Sequence, residues 1–356
     1  MNYQIYSGEE TLILESGKQL NQWHLAYHTF GKLNATKNNV IWIFHALTAN
    51  SNPTEWWQGL VGENCVIDIH KYFVVCVNMP QSCYGSIQPL DVDPVSKTPY
   101  YHNFPLFTTR DMVKAYSLLA KHLQISSIHL GIGGSMGGQQ LLEWAIEEPH
   151  LFENIIPIAT NAVHSAWGIA FNTSQRWCIE NDRTWNNKNA NAGKEGLKIA
   201  RSIALLSYRN YNTYKQTQQG TYDENKPIDE QIFRANTYQY YQGEKLANRF
   251  NAYSYWYLTK SMDLHNVGRN RISVEKALEK ITANCLIIGI KSDILFPVDE
   301  QEFLAAHIKN AQFKAIESDY GHDGFLLEIK KISALINGFL KRNQLQKIYT
   351  INNLIN

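Results

Sequence analysis

Ser135 stands in Gly133-Gly134-Ser135-Met136-Gly137, a G-x-S-x-G pentapeptide. A serine hydroxyl is a weak nucleophile; it attacks a carbonyl when a base takes its proton and a carboxylate orients that base. Two downstream residues supply those groups in chain order, the acid Asp293 in Lys291-Ser292-Asp293 and the base His322 in Gly321-His322-Asp323. Such a set carries out acyl transfer through a covalent acyl-serine. Asp299 and His307 are the nearest rivals. Asp299 follows Pro297 at an apparent helix start and reads as a cap, and His307 sits inside a helical pattern. His45, ahead of Ser135 and at the end of an apolar run, reads as a structural hydrogen-bonding residue.

The context of the pentapeptide matters more than its letters. It follows the apolar run 128–132 (IHLGI) and precedes a helical pattern over 139–147. A strand-to-helix turn this tight strains the serine backbone, lifts its hydroxyl above the sheet edge and leaves helix N–H groups free. This is the nucleophile turn of an α/β-hydrolase fold. The N–H of Met136 is then the first donor to a developing oxyanion. The second is expected from the loop beginning His45-Ala46-Leu47-Thr48, at Leu47, with Ala46 as the alternative.

The elements that must position these groups are legible as short apolar runs: 40–44 (VIWIF), 72–77 (YFVVCV), 128–132, 155–159 (IIPIA) and 285–290 (CLIIGI). A further short segment, 313–316, is expected as the last strand. Helical spacing over 111–123 places Asp111 as an N-cap. Strands alternating with helices predict a mostly parallel central sheet flanked by helices on both faces. The alternation stops between about 161 and 273, a stretch rich in Tyr, Trp, Asn and Gln that suits a surface closing over something. Residues 1–160 and 274–345 are therefore expected to form the catalytic core, 161–273 an inserted helical lid, and 346–356 a peripheral C-terminal extension.

Composition narrows the partners. The chain of 356 residues is 44% hydrophobic and 18% charged, with a formal net charge of +1, which gives no electrostatic reason for nucleic acid or an anionic membrane. The five cysteines, Cys65, Cys76, Cys83, Cys178 and Cys285, form no C-x-x-C pair, and the histidines show no ligand spacing, so neither a disulfide framework nor a metal is expected. MNYQIYSGEE has no secretory pattern, and no run approaches a membrane span; a cytoplasmic protein is the expectation.

The segments HALTAN at His45, NMPQSCYGS at Asn78, FPLFTTRDMVKA at Phe104, GGSMGGQQLLEWA at Gly133, FNAYSYWYLTKSMD at Phe250, SDILFP at Ser292 and GHDGFLLE at Gly321 together resemble homoserine O-acetyltransferases. The resemblance runs along nearly the whole chain. It implies an α/β-hydrolase core with a helical lid, usually a homodimer through that lid. It also implies a two-step exchange in which acetyl-CoA, a co-substrate rather than a bound cofactor, acylates the serine and L-homoserine takes the acyl group. Homoserine is a zwitterion, so its pocket needs one cation and one anion. The resemblance assigns the carboxylate to Arg201 in GLKIARSIALLSYRN, a place in the same tunnel to Tyr208, and the amine to Asp323.

One segment departs from the family. Gln81 and Ser82 stand where the family tends to have glycine, so Gln81 is strained if that backbone needs a positive φ. Cys83 has no base in a suitable context and reads as structural. Succinyl-CoA as donor, serine as acceptor, ester hydrolysis on the same triad, and a binding protein that has lost catalysis remain alternatives. All three triad candidates being present argues against the last.

Overall fold

The computed structural model describes the backbone of residues 3–355 and the side chains of residues 3–345. Its strands are β1 (Gln4–Ser7), β2 (Leu12–Ile13), β3 (Gln19–Leu20), β4 (His24–Phe30), β5 (Val40–Phe44), β6 (Val61–Gly62), β7 (Ile67–Asp68), β8 (Phe73–Val77), β9 (Ile128–Gly134), β10 (Phe152–Ile158), β11 (Asn284–Ile290) and β12 (Ala311–Ile316). Eight of them form one sheet in the order β1-β4-β8-β5-β9-β10-β11-β12. From β8 onward every pairing is parallel, while β4 joins β8 and β1 joins β4 antiparallel.

Continuous apolar runs arise because these strands are covered on both faces. In β5, Val40, Trp42 and Phe44 enter one core with Met112, Tyr116, Leu141 and Trp144. Ile41 and Ile43 enter the other with Ile332, Ile336 and Phe339. The first core is roofed by α2 (Thr109–His122) and α3 (Met136–Glu147), which follow the short α1 (Pro53–Trp56). Helix α2 starts earlier than its periodicity suggests. Thr108 is the N-cap, and Asp111 is the third helical residue, whose carboxylate bonds back to the Thr108 N–H in a capping box.

Between β10 and β11 the chain leaves the sheet for α4 (Ala166–Glu180), α5 (Lys194–Tyr208), α6 (Tyr211–Gln218), α7 (Arg234–Ala247), α8 (Ala252–Asp263) and the short α9 (Val274–Leu278). The excursion opens and closes at a neck. Val163 bridges Asn266, the His164 N–H bonds the His265 carbonyl at 2.9 Å, and the Val267 N–H bonds that of Ala162 at 3.0 Å. The tyrosines of this stretch have no single purpose. Tyr253, Tyr255 and Tyr257 are buried in its core, whereas Tyr211, Tyr222, Tyr240 and Tyr241 face solvent.

The chain returns through β11, α10 (Val298–His307) and β12 to α11 (Gly324–Leu327) and α12 (Ile329–Ile355). Helix α12 runs unbroken across the boundary expected at 345/346. Within the stretch expected to belong to the core, Asn343 is buried and donates to Asn154 Oδ1 at 2.8 Å. The side chains of 346–356 lie outside the described residues.

Candidate active site

The parallel strands end together. Phe44 pairs with Gly133, Ile158 with Gly134 and Ile290 with Ile316. The residues just past those ends therefore share one edge, where such sheets bind ligands. Ser135 follows β9, the 45–48 loop follows β5, Asp293 follows β11 and His322 follows β12.

Ser135 has φ 56 and ψ −127, a conformation costing on the order of 1–3 kcal/mol for a non-glycine residue. The surroundings hold it there. Its N–H donates to the Ile158 carbonyl at 2.9 Å, and its own carbonyl accepts from Gly138 N–H at 2.9 Å and Thr160 Oγ1 at 2.8 Å. Thr160 is fixed in turn by Gln301, whose Nε2 donates to its carbonyl at 2.7 Å. A side chain at Gly137 would meet the Phe44 carbonyl oxygen at 2.2 Å, so the start of α3 is pressed against the end of β5.

That contact brings together the two segments that carry the oxyanion candidates. Met136 opens α3, ahead of the helix's own carbonyls, so its N–H lacks an intrahelical acceptor. Leu47 lies buried in the turn after β5, which is closed by an Ala49 N–H to Ala46 carbonyl bond of 3.0 Å. His45 fastens this loop. Its Nδ1–H donates to the Ala46 carbonyl at 2.9 Å and its Nε2 accepts from Met79 N–H at 3.1 Å. Burial pushes this imidazole down to about 4, so it stays neutral and structural.

His322 donates from Nδ1 to Asp293 Oδ2 at 2.6 Å. Asp293 Oδ1 accepts from the N–H groups of Leu295 at 2.8 Å and Phe296 at 2.9 Å, so the carboxylate cannot rotate away. The imidazole is buried among Phe296, Phe325 and Tyr208, with ring centroids 5.1, 5.2 and 5.8 Å away. Burial pulls its pKa down, but the charge and hydrogen bond of Asp293, with Asp323 beyond, outweigh it and leave it above the usual 6.5. The Phe325 ring lies against the backbone of Gly134 and beside the His322 ring, so the segments carrying the candidate nucleophile and base meet at one aromatic side chain. Asp299 is the exposed second residue of α10, whose N-cap is Pro297, so it is neither catalytic acid nor cap. His307 turns to its own helix, Nδ1 on the Phe303 carbonyl.

The substrate-side candidates meet at the C-terminal end of α5. Gly321, at φ +61, lets the His322 loop touch this helix end; a side chain there would sit 2.9 Å from the Arg209 carbonyl carbon. The Arg201 guanidinium lies 5.4 Å from the centroid of the Tyr208 ring. Asp323 faces Arg209, with Nε 3.1 Å from Oδ2 in an ion pair that lacks hydrogen-bond alignment. Burial raises the Asp323 carboxyl pKa, and Arg209, Arg201 and His322 only partly oppose that.

A cavity of about 510 Å³ opens here, lined among others by Thr48, Arg201, Arg209, Lys245, Arg249 and Asp323. Larger hollows of about 760 and 800 Å³ lie among α4, α5 and α7, and none of their lining residues is next to Ser135, Asp293 or His322 in the chain. The smaller cavity, whose lining adjoins Leu47 through Thr48 and His322 through Asp323, is the one the chemistry selects. Arg209 and Arg249 escaped the sequence reading. Arg209 is the second arginine of the segment that contains Arg201, which was the available signal. Arg249, next to FNAYSYWYLTKSMD, gave none, because its partners lie far along the chain: its Nη1 reaches the Thr48 carbonyl at 2.6 Å and the Tyr84 hydroxyl. Cys83 is held against the Arg249 carbonyl, and burial pushes its thiol up to about 12, which leaves it inert.

The alpha/beta hydrolase fold family matches residues 39–329. A homoserine O-acetyltransferase of Cyclobacterium marinum is 46% identical over 96% of this chain and 96% of its own. Among solved structures, a homoserine O-acetyltransferase from Bacillus anthracis superposes with a TM-score of 0.86 at 24% identity, covering 95% of this chain and 97% of that one. Esterase E22 superposes equally well, at 0.86 and 22% identity over 95% and 99%. The backbone alone therefore does not separate transfer from hydrolysis. Sequence identity does, and this chain belongs to the homoserine O-acetyltransferase family of the α/β-hydrolase fold.

Proposed function

We propose that this protein transfers an acetyl group from acetyl-CoA to the hydroxyl of L-homoserine in two half-reactions on Ser135, with no bound cofactor. The observation that carries this reading is the cavity beside the Asp293–His322 pair, which gathers guanidinium groups and a carboxylate within reach of one zwitterionic acceptor. His322 takes the Ser135 proton as the hydroxyl attacks the thioester carbonyl. The oxyanion is met by the N–H groups of Leu47 and Met136. The thiolate leaves with the proton from His322. The acceptor hydroxyl then gives its proton to His322 and attacks the acyl-serine, and collapse returns that proton to Ser135. Arg201 is assigned the acceptor carboxylate, Asp323 its amine, and Tyr208 the wall between them.

Hydrolysis is the competing outcome, since water can resolve the same acyl-serine. Thiol release from acetyl-CoA is expected to rise steeply when homoserine is added. Release that ignores homoserine would leave an esterase. Running acetyl- against succinyl-CoA, and homoserine against serine, fixes the pair of substrates.

A homodimer through the lid belongs to the same proposal. Trp177, Ile199, Leu206 and Tyr240 are large side chains left exposed on α4, α5 and α7, more apolar surface than a lone lid face needs. A cytoplasmic setting is proposed as well, in keeping with five unpaired cysteines. Among the described residues no helix is long and apolar enough to cross a membrane.

A further inference from the structure

Helix α7 ends at the mouth of the catalytic cavity and brings Lys245 and, just beyond it, Arg249 to that rim. With Arg201 and Arg209 they make four cations in the lining, against two carboxylates, Glu55 and Asp323. The whole chain carries a net charge of only +1, so this excess is local. Arg209 is paired with Asp323 and Arg201 leans on Tyr208. Lys245 forms no ion pair among the described residues; its ammonium lies 5.9 Å from the Tyr241 ring, at the solvent edge. Glu55 is occupied by the side-chain amides of Asn50 and Asn52 at 3.4 and 2.9 Å.

We infer that the rim formed by Lys245 and Arg249 is the docking site for the phosphate-bearing end of the thioester donor. This rests on the acyl-CoA reading above and adds which end of the donor is gripped, and by what. A cavity of about 510 Å³ has room for an acyl group, its thiol arm and a small amino acid, but not for a nucleotide as well. The phosphates are left at the mouth, where exposed cations meet them at little desolvation cost. Arg249 ties docking to chemistry. Its Nη1 already holds the Thr48 carbonyl at 2.6 Å, one residue from Leu47, so a phosphate on its remaining N–H groups stiffens the oxyanion loop. Among the described residues Lys245 makes no hydrogen bond or ion pair to that loop, and it acts through charge alone.

The test compares acetyl-CoA with S-acetylpantetheine, which carries the same thioester and thiol arm but no phosphate. In Lys245→Glu the KM for acetyl-CoA is expected to rise roughly fivefold to tenfold, while that for S-acetylpantetheine stays within about twofold. Lys245→Arg should keep the wild-type value. Raising salt should weaken acetyl-CoA in the wild type and do so less in Lys245→Glu. Equal changes for both donors, or none for either, overturn the inference. Homoserine acetylation by wild-type protein from S-acetylpantetheine is the separate control. If it fails along with acetyl-CoA, the acyl-transfer reading falls; if it succeeds while Lys245→Glu is silent, only the docking site falls.

Discussion

Arg209 Nε lies 3.1 Å from Asp323 Oδ2, so the carboxylate next to His322 already has a cation at its side. Under the proposed assignment, an acceptor amine shares Asp323 with Arg209. Arg201, which forms no ion pair among the described residues and rests on the Tyr208 ring, is the guanidinium to which the proposal gives the acceptor carboxylate. The two arginines of α5 and its end thus differ in their partners although they line one cavity.

Arg201→Ala should raise the homoserine KM by about 10–100-fold, the loss of a charge-assisted bidentate pair. Acylation of Ser135 by acetyl-CoA, followed as a thiol burst, should change little. Arg209→Ala should act through Asp323 instead. Without its neighbour, the buried carboxyl moves further up, so the homoserine KM of this variant should improve with rising pH over a range that lies higher than in the wild type. If Arg201→Ala leaves the homoserine KM untouched, the carboxylate assignment is wrong.

Asp293→Asn tests the base. The asparagine can still accept from Leu295 and Phe296 through one oxygen, but it then presents an NH₂ group to His322 Nδ1 and favours the wrong tautomer. A fall on the order of 10⁴-fold in kcat is expected. His322 must be neutral to accept a proton. Its raised pKa therefore places the acid limb of the wild-type kcat/KM profile above the ordinary 6.5, with activity lost below it. Residual activity in the variant should show that limb at lower pH. An unmoved limb would assign it to another group.

How far the sequence reached depends on how local each signal was. The buried strands were legible because two-sided burial writes an unbroken apolar run, as in Val40–Phe44. Strand β1 was not, since only Tyr6 of its four residues is buried. Ser135 was legible because strand, turn and helix are contiguous in the chain. Asp293 and His322 were placed by chain order and strand ends, and the structure brings them within 2.6 Å. The start of α2 was misjudged by three residues because Thr108 and Asp111 are both capping types, and only geometry tells which one precedes the helix. Arg249 and Thr160 act through backbone carbonyls remote in sequence or through another residue's carbonyl, which leaves no pattern to read.

Gln81 carries the family departure. Its φ is +78, so the positive-φ strain anticipated for a side chain at this place is present. The side chain compensates. Nε2 donates to Ser261 Oγ at 2.7 Å and Oε1 accepts from Phe107 N–H at 2.9 Å, tying the loop to α8 and to the approach of α2. Gln81→Gly removes strain worth about 1 kcal/mol but deletes two buried hydrogen bonds and leaves their partners unsatisfied. A net loss of about 1–2 kcal/mol is expected in urea unfolding, with the triad's pH profile unchanged. A more stable Gly variant would mean the two bonds add nothing.

Glu300 gives the last prediction. It sits on α10, accepts from Asn161 Nδ2 at 3.0 Å, and is pushed up to about 7 by burial and then by the nearby Asp293, against the Asn161 bond. Its ordinary value is near 4.5. A carboxyl raised on folding binds more protons in the folded state between those two values. Its contribution to stability is complete below about 4.5 and is lost as pH rises through about 7. Glu300→Gln keeps an oxygen for Asn161 and never ionises. The variant should therefore melt close to wild type near pH 5 and higher than wild type near pH 8, by roughly 2 °C. It should also draw the His322 limb down slightly, because an ionised Glu300 adds negative charge behind the Asp293–His322 pair. A Tm difference that does not vary between the two pH values would show that Glu300 stays ionised throughout, with Asn161 rather than burial governing its charge.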